Sequence, residues 1–561
     1  MEYLPLLLSN YFFLLLGIAG VVFVFWAIPP YTSWRRMKCN NNNNNNNNSL
    51  RKKLLAPPEV AGALPVFGHL RQLSSGKQPL VRTLGEMADE YGPIFTIRVG
   101  MQRAVIISSW ETAMDSFSTN DKLLADRPPN CAGKYMGYEY AVLPFALHGS
   151  FWRSMRKLVV VELLSNNTLE KLKPVWMSEL DTNLKELYNA VATAGTSQQV
   201  NMSEWFGHLT LNLIVKLISG RRYKYNPNKA AAAGDAAEEE ARCMTKVFKE
   251  IMRLVGELAP GDSFFPTGLV RWLDFGGQIA SMKRVSKAMD DILQNWIEDH
   301  KQRRRSDAGG EEDDRDFIDV MLSVIDQKFE SGGHSYSRET IIKAASLSML
   351  EDAADTLGLN LEWVVSLLLN NPPAMKKARE EIDTIIGGNK RWAEESDIDE
   401  MVYLQAVVKE AMRLYPAAPL LVPHRAIEDC NVGGYTVSKG TVLYANAWKI
   451  HRDPRVWPEP EKFSPERFLG AGSLDDRETA PGRHFGFIPF GIGRRSCPGM
   501  LYTKKVTHLT VARLLQGFDV TTPGNVSVDM TEGQATTLPR ATPLEVHITP
   551  RLPSAFYRLE V

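Results

Sequence analysis

The residues best suited to chemistry lie in segment 490–499, which reads FGIGRRSCPG. This segment places a single cysteine, Cys497, among glycines and next to Arg494 and Arg495. A thiolate binds metal ions, and positive charge close to a cysteine stabilises its thiolate form. We expect the two arginines to supply that charge. The segment therefore predicts a metal site with Cys497 as the ligand, whereas the simpler alternative is a buried cysteine in a glycine-rich turn.

Other residues of the same segment are suited to a flat cofactor. Gly493 and Gly499 have no side chains, so the backbone can approach a ligand closely, and Phe490 can pack against the sulfur. The spacing Phe-x-x-Gly-x-Arg-x-Cys-x-Gly resembles the haem-binding loop of the cytochrome P-450 monooxygenases. The resemblance implies haem b as the cofactor, with Cys497 as the axial thiolate ligand of its iron.

A long helical pattern covers residues 337–371, beginning at a serine suited to capping and ending before a pair of prolines. Near its centre, Asp355 and Thr356 lie in strongly apolar surroundings. A carboxylate and a hydroxyl buried together can relay protons, which is a form of general acid catalysis. The structural alternative is that Thr356 only donates a hydrogen bond backward along its own helix.

The centre of this helix resembles the oxygen-activating helix of the same family, whose pattern is Ala/Gly-Gly-x-Asp/Glu-Thr-Thr. Asp355 and Thr356 match that pattern, and the resemblance implies that they are catalytic. Asp352, Ala353 and Leu357 depart from it, which leaves the usual distortion of the helix open. Asp352 has two interpretations: it turns outward, or it contacts a polar group of the substrate.

Haem carries carboxylates, which are best bound by paired or bidentate donors. Trp152 and Arg156 are four residues apart and share one helical face. This pair resembles the family's Trp-x-x-x-Arg clamp for haem propionates, and Arg495 is expected to join it. His424 is a fourth candidate, with a strand or loop residue of no catalytic role as the alternative.

A third group is structural in character. Glu410 and Arg413 are three residues apart on one helix face, a spacing that is common for weak surface pairs. The preceding residues 402–408 are apolar, so we expect the helix to be buried and the pair to need further partners. By resemblance to the family's Glu-Arg-Arg triad, Arg467 is the third member, and the triad secures the core beside the haem loop.

Composition limits the class of protein. The chain has 561 residues with 65 basic and 65 acidic side chains, which argues against a nucleic-acid surface. Its five cysteines form no Cys-x-x-Cys pair, so neither a disulfide framework nor a zinc site is expected. Helical periodicity dominates, and short alternating runs such as 94–99 and 544–548 predict strands. We therefore expect a mainly α fold with a small β portion, which the resemblance identifies as the cytochrome P-450 fold.

The N-terminus predicts a membrane anchor. Residues 3–34 carry no charge, and 11–28 are almost wholly apolar, about the length that crosses a bilayer. A cleaved signal peptide is the alternative, but its usual basic start is missing here. Basic residues follow the span and place the rest of the chain in the cytosol.

Three regions follow from this pattern. Residues 1–34 form the anchor, 35–56 form a basic and asparagine-rich linker, and 57–561 form the catalytic domain. The linker contains the unbroken asparagine run 40–48, which has no apolar group to bury.

The resemblance implies an NADPH- and O2-dependent monooxygenase in the endoplasmic reticulum membrane. Its implied partners are an NADPH-dependent reductase, membrane lipid, O2 and a small, mostly apolar plant metabolite such as an alkaloid, flavonoid or terpenoid. Two alternatives stay open: a haem-thiolate isomerase or dehydratase, and a non-catalytic, membrane-tethered haem-binding partner. The resemblance also places five segments on the substrate side of the haem, namely 132–147, 256–275, 348–357, 417–422 and 534–538.

Overall fold

The part of the chain that the computed structural model describes comprises residues 55–74, 78–192, 198–223, 236–257, 259–264, 270–271, 273–274, 276–306, 316–329, 336–387, 391–470 and 484–557. The predicted membrane anchor and the asparagine run lie outside the described residues. Within the described part, no helix is both long enough and apolar enough to cross a membrane. Contacts group Leu54–Val561 into one unit.

Helices make up most of the described chain. In chain order, α1 to α19 are Leu70–Leu73, Leu80–Tyr91, Trp110–Met114, Cys131–Tyr135, Ser150–Glu162, Asn166–Lys171, Lys173–Ala192, Met202–Ser219, Ala236–Gly256, Pro260–Ser263, Gln278–Ser306, Phe317–Phe329, Arg338–Met349, Asp355–Asn370, Pro372–Ile386, Val402–Leu414, Ala447–Ile450, Met500–Gly517 and Ser554–Tyr557. The predicted mainly α fold is confirmed.

Within the described residues, strands form three small sheets. In chain order, β1 to β9 are Ile94–Val99, Gln102–Ile107, Gln198–Asn201, His424–Arg425, Cys430–Val432, Tyr435–Val437, Val442–Ala445, Phe518–Thr521 and Glu545–Pro550. Their orders are β1-β2-β7-β4, β3-β9-β8 and β5-β6. The run 94–99 is the predicted strand β1, which pairs antiparallel with β2 from Ile94 opposite Ile107 to Val99 opposite Gln102. The run 544–548 corresponds to β9, shifted by one residue at its start.

The long helix predicted at 337–371 is present, but it is not uniform. Ser337 caps its start, accepting a hydrogen bond from the amide of Thr340 at 3.1 Å. α13 then passes into a π-helical turn at Leu350–Ala354, and α14 continues from Asp355. A π-helical turn holds one extra residue and is frequent at functional sites. The sequence left this distortion open, and the structure shows it.

The distorted helix lies in the centre of the core. Every residue from Ile341 to Met349 in α13 and from Leu357 to Leu368 in α14 is buried. Gly358 allows α8 to come close, because a Cβ at this position would lie 3.3 Å from the hydroxyl of Thr210. A helix buried on all sides is fixed in position by its packing. The π-helical turn is therefore held by the core on both of its ends.

Candidate functional site

The cysteine loop is built by a short 3-10 turn, Gly493–Arg495, that precedes α18. The amide of Cys497 donates to the carbonyl of Phe490 at 2.8 Å, which closes the loop. The cysteine side chain is exposed, yet protein atoms surround the sulfur so closely that burial raises the pKa of the thiol to about 11. The sulfur therefore lies in a recess rather than on the outer surface.

The positive charge that acts on the sulfur is not the one expected. Arg494 forms an ion pair with Asp121, at 2.8 Å between Nε and Oδ2. Among the described residues, Arg156 is the cation whose charge lowers the pKa of Cys497. The expectation that Arg494 and Arg495 supply the charge is corrected, because the fold directs a residue from α5 toward the thiol instead.

Arg495 has a different position. Its Nε donates to the carbonyl of Ala125 at 2.8 Å and its Nη2 to the carbonyl of Ala146 at 2.7 Å. Its Nη1 is buried and has no hydrogen-bond partner among the described residues. Its guanidinium carbon lies 4.2 Å from the ring centroid of Trp152. A buried cationic donor left without a partner is costly unless an anionic ligand pairs with it.

The predicted clamp residues do lie together on α5. The guanidinium carbon of Arg156 lies 5.8 Å from the ring centroid of Trp152, on which Arg495 also stacks. The ring of His148 lies 5.5 Å from the same tryptophan, and its Nε2 is buried without a partner in the described part of the chain. Sequence reasoning missed His148, because a lone histidine before a helix carries no recognisable pattern.

Sequence reasoning also missed Arg127. This arginine is buried, and its Nη1 donates to the carbonyls of Val422 at 2.9 Å and Pro423 at 2.8 Å. Burial lowers its pKa, and the charge of Arg495 lowers it further. Arginine is seldom fully buried without an anionic partner. The only sequence signal is an Asp-Arg-Pro run, which indicates no chemistry.

The site therefore holds an excess of positive charge. Burial lowers the pKa of Arg127, Arg156 and Arg495, so each guanidinium is held in its charged form at a cost. The nearby carboxylate of Asp126 already forms an ion pair with Arg425 and accepts the amide hydrogen of His148. Carboxylates are the ligands that pair best with arginine. These donors fit the two propionates of a haem.

His424, at the start of β4, lies beside the same cluster. Its Nδ1 is 2.7 Å from the carbonyl oxygen of Leu124, and its ring lies 4.9 Å from that of Phe117. Burial lowers the pKa of His424 well below the ordinary value, and Arg127 adds to this effect. The side chain is therefore neutral, which makes it a hydrogen-bonding group rather than a second positive charge.

The two glycines of the loop have different surroundings. Gly493 has a φ of +77°, and a Cβ there would lie only 2.5 Å from Oδ1 of Asp121. The tight approach that requires a glycine at 493 is thus made by protein, whereas the sequence argument assigned it to a cofactor. A Cβ at Gly499 would lie 3.8 Å from the sulfur of Cys497, an ordinary contact. Phe490 is partly buried and packs against the main core.

Asp355 and Thr356 begin α14, directly after the π-helical turn. The hydroxyl of Thr356 donates to the carbonyl of Asp352 at 2.6 Å, the backward bond that was the structural alternative. Burial raises the pKa of Asp355, and a hydrogen bond from Thr537 opposes this effect. Oδ2 of Asp355 is buried and has no partner among the described residues. This carboxyl group can hold a proton inside the fold.

The π-helical turn and the cysteine loop face each other. The charge of Asp352 raises the pKa of Cys497, although the two residues belong to separate elements. The same carboxylate raises the pKa of Arg127. The recess is therefore bounded by the cysteine loop, the arginine cluster and the distorted helix.

Four of the five predicted substrate-side segments are joined directly by hydrogen bonds, and the fifth touches them. The amide of Leu143 donates to the hydroxyl of Ser348 at 2.9 Å. Asp355 bonds to Thr537, and the amide of Leu538 donates to the carbonyl of Ala417 at 3.0 Å.

The remaining segment, 256–275, closely approaches segment 534–538. A Cβ on Gly256 would lie 3.0 Å from the hydroxyl of Thr536. Residues 258, 265–269, 272 and 275 of this segment lie outside the described residues. The five segments therefore lie next to one another in the structure.

Glu410, Arg413 and Arg467 form one hydrogen-bonded group. Arg413 donates from Nε and Nη2 to the two carboxylate oxygens of Glu410, at 2.7 and 2.8 Å, and both side chains are fully buried. Arg467 donates from Nε to Oε1 of Glu410 at 3.0 Å. A bidentate arginine–carboxylate pair with a second donor satisfies the buried charges. The helix that carries this pair, α16, is buried as expected and ends at Leu414.

The fold and this site define a haem-thiolate monooxygenase. Residues 57–546 match the model of the cytochrome P-450 family, and the chain belongs to that family. Its cofactor is haem with a thiolate ligand to the iron. The cluster of buried arginines beside an exposed thiol, with Nη1 of Arg495 lacking a partner among the described residues, agrees with that cofactor.

Named relatives are similar along nearly the whole chain. A nicotine N-demethylase of Nicotiana tomentosiformis is 45% identical over 505 residues, which cover 89% of this chain and 94% of the relative. Vinorine hydroxylase of Rauvolfia serpentina is 45% identical over 504 residues, covering 89% and 92%. A xanthotoxin 5-hydroxylase of Arabidopsis thaliana is 44% identical over 507 residues, covering 89% and 94%. The predicted plant family and monooxygenase class are confirmed.

Solved structures show the same fold. A zebrafish cytochrome P-450 solved with progesterone superposes with a TM-score of 0.69 at 25% identity, covering 85% of this chain and all (100%) of that one. The structure of a zebrafish cytochrome P-450 with abiraterone gives 0.66 at 23% identity, covering 84% and 100%. The predicted cytochrome P-450 fold is confirmed for the described residues.

Proposed function

We propose that this chain is a membrane-anchored monooxygenase that oxidises a small, mostly apolar plant specialised metabolite. The named relatives act on nicotine, vinorine and xanthotoxin, so alkaloids and related ring compounds are the substrate class they support. The observation that carries the proposal is the recess in which the exposed thiol of Cys497 meets the distorted helix. An NADPH-dependent reductase supplies the electrons, as in the family.

Cys497 is the proposed iron ligand. Arg495 and Arg156 bind the cofactor carboxylates, Trp152 holds the two guanidinium groups in place, and the neutral His424 adds a hydrogen bond. When bound, haem supplies the activation of O2 and the oxidation of a C–H bond. Loading the site removes the cost of the unpaired cationic donors, so cofactor binding stabilises the fold.

The proposed catalytic acids act on the opposite side of the recess. Asp355 holds a proton on its carboxyl group, because burial raises its pKa. Thr356 is oriented by its bond to the carbonyl of Asp352, which leaves its oxygen able to accept a hydrogen bond. Proton delivery from Asp355 into the recess, with Thr356 as the positioned hydroxyl, is the role that we assign to this pair.

The location of the enzyme is argued from sequence. We propose an anchor at residues 1–34, a linker at 35–56 and a catalytic domain at 57–561, with the anchor in lipid of the endoplasmic reticulum. The uncharged stretch 3–34 and the basic residues after it support a single span with the catalytic domain in the cytosol.

The test is the replacement Cys497→Ser in the full chain. We expect the reduced carbonyl complex of the wild type to show the red-shifted Soret band of a thiolate ligand, and Cys497→Ser to lose it. Cys243→Ser is the matched control, because Cys243 is also an exposed free cysteine. Retention of the band in Cys497→Ser refutes the ligand assignment. Substrate turnover without NADPH consumption would favour the isomerase or dehydratase alternative.

A further inference from the structure

Asp352 is exposed although it directly follows a long buried stretch of its helix. All of the residues from Ile341 to Met349 are buried, and so are Leu350 and Glu351 in the π-helical turn. Asp352 follows them directly and is exposed. A charged side chain at the centre of a core helix requires a physical reason, since it is expensive to place there.

Within the described part of the chain, the carboxylate of Asp352 makes no hydrogen bond and no ion pair. Among the described residues, Arg127 is the cation whose charge lowers the pKa of Asp352. Two nitrogens of this arginine already donate hydrogen bonds: Nε to the carbonyl of Pro144, and Nη1 to the carbonyls of Val422 and Pro423. Although Asp352 is exposed, protein atoms surround its carboxylate closely enough that burial raises its pKa to about 7, an effect that the charge of Arg127 opposes.

The carboxylate lies where a substrate would be held. Its charge acts on Cys497 across the recess. One helical turn before it, Ser348 bonds to Leu143, and one turn after it, Asp355 bonds to Thr537. Asp352 is therefore bracketed by residues of the substrate-side segments.

The arginine cluster does not neutralise the negative charge of Asp352 once the cofactor is bound. Arg156 and Arg495 fit the two carboxylates of the cofactor, so their positive charge is compensated when the cofactor is bound, whereas Arg127 donates from Nε and Nη1 to backbone carbonyls. Asp352 then faces any ligand in the recess as an uncompensated negative charge. A neutral, apolar ligand would bury this carboxylate without a partner, which is costly, whereas a cationic ligand would pair with it.

We propose that Asp352 determines specificity by pairing with a positively charged nitrogen, so that the preferred substrate is a basic amine rather than a neutral ring compound. This inference rests on the proposed function, since it assigns a substrate class to the same site. The inference predicts a substrate that resembles nicotine, a basic amine named for one relative, more than xanthotoxin, a neutral compound named for another.

The test compares probes that differ only in charge. Trimethyl(3-phenylpropyl)ammonium is a permanent cation, and 4,4-dimethylpentylbenzene is its neutral carbon isostere. Dissociation constants for both are measured by equilibrium dialysis of the solubilised holoenzyme, for wild type and for Asp352→Asn. For each protein, the dissociation constant of the cation is divided by that of the neutral probe. Comparing this ratio between wild type and Asp352→Asn cancels the difference in hydrophobicity between the two probes.

We expect Asp352→Asn to reduce the relative preference for the cation by about tenfold or more, because the change removes the carboxylate charge that attracts the quaternary nitrogen at close range in a partly enclosed site. Asp89→Asn is the control, because it removes an equal charge from a side chain that is 68% exposed. A preference that changes by less than about twofold, or a cation that does not bind wild type measurably, overturns the inference.

The same preparations separate this inference from the proposed function. The reduced carbonyl spectrum of wild type tests the haem-thiolate site without any substrate. A normal thiolate band together with no effect of Asp352→Asn refutes only the amine assignment. Absence of the band in wild type refutes the proposed function itself.

Discussion

The guanidinium carbon of Arg495 lies 4.2 Å from the ring centroid of Trp152, which connects the cysteine loop to α5. Two of the arginine's nitrogens are bonded to backbone carbonyls, and the third is buried without a partner in the described part of the chain. The stacking and the two bonds fix the orientation of the guanidinium. The remaining donor is thereby held ready for an anion, as pre-organised binding sites require.

Arg495→Gln should lower haem retention while Arg494→Gln should not. The first change removes the unpaired cationic donor, and a hydrogen bond to a charged group is worth about 1.5–3 kcal/mol, or roughly tenfold or more in haem affinity. The second removes an ion pair with Asp121 in which Arg494 is 37% exposed, so we expect less than about twofold. Haem content per polypeptide after gel filtration measures both. Equal losses in the two variants would refute the assignment.

Gly493→Ala should destabilise the loop more than Gly524→Ala. Both glycines have a positive φ, +77° and +65°, so alanine pays about 1–2 kcal/mol at either position. At 493 the new Cβ would also lie 2.5 Å from Asp121, whereas at 524 the nearest side-chain atom is 3.8 Å away. The difference in thermal inactivation midpoint between the variants measures the close contacts of the new Cβ with Asp121 and with the carbonyl oxygen of Phe117, which is 2.9 Å away. Identical midpoints would contradict the prediction.

Glu410→Gln should be strongly destabilising. The change leaves the fully buried guanidinium of Arg413 without its charged partner, which costs about 3–5 kcal/mol. Glu111→Gln is the matched control, because its ion pair with Arg455 is 39% and 59% exposed and is worth about 0–1 kcal/mol. Thermal inactivation of the holoenzyme measures both changes. A Glu410 variant as stable as the control would show that the triad does not secure the core.

Asp355→Asn and Thr356→Ala should each uncouple NADPH consumption from product formation. Both changes impair proton delivery, and a positioned general acid contributes roughly a hundredfold or more in rate, so we expect product formation to fall by at least about tenfold. Haem content and NADPH oxidation should persist, because neither residue holds the cofactor.

Thr384→Ala is the control for the second variant. Thr384 makes the same backward bond along its helix, to the carbonyl of Glu380 at 2.6 Å, but on the surface. Product per NADPH, once a substrate is identified, is the measurement. Unchanged coupling in both site variants would assign Thr356 to the purely structural alternative.

Several features could be predicted because their signals are contiguous in the chain. The ten residues around Cys497, the capping Ser337 and the alternating strand at 94–99 are all read within one local window. The Glu410–Arg413 pair is visible for the same reason, since helical periodicity places residues three apart on one face. The partners of this pair were harder to predict from the sequence, and Arg467 was identified only by the resemblance to a family.

Other features could not be predicted because burial and charge depend on residues far away in the chain. Arg127 and His148 have no motif, and their importance follows from burial beside Arg495. The requirement for glycine at 493 comes from Asp121, whose carboxylate accepts the amide hydrogen of Arg494 across 373 positions. No local pattern records such a contact.

The sequence by itself determined the family, the cofactor class and the residues of the two central motifs, because short-range spacing encodes backbone shape and ligand type. Only the tertiary structure decided which charge acts on the thiol of Cys497, where the long helix is distorted, and that Asp352 is an exposed carboxylate without a bonded partner among the described residues. The physical reason is that desolvation and Coulomb interactions depend on distances in space. Those distances are set by the packing of the fold and not by the separation of residues along the sequence.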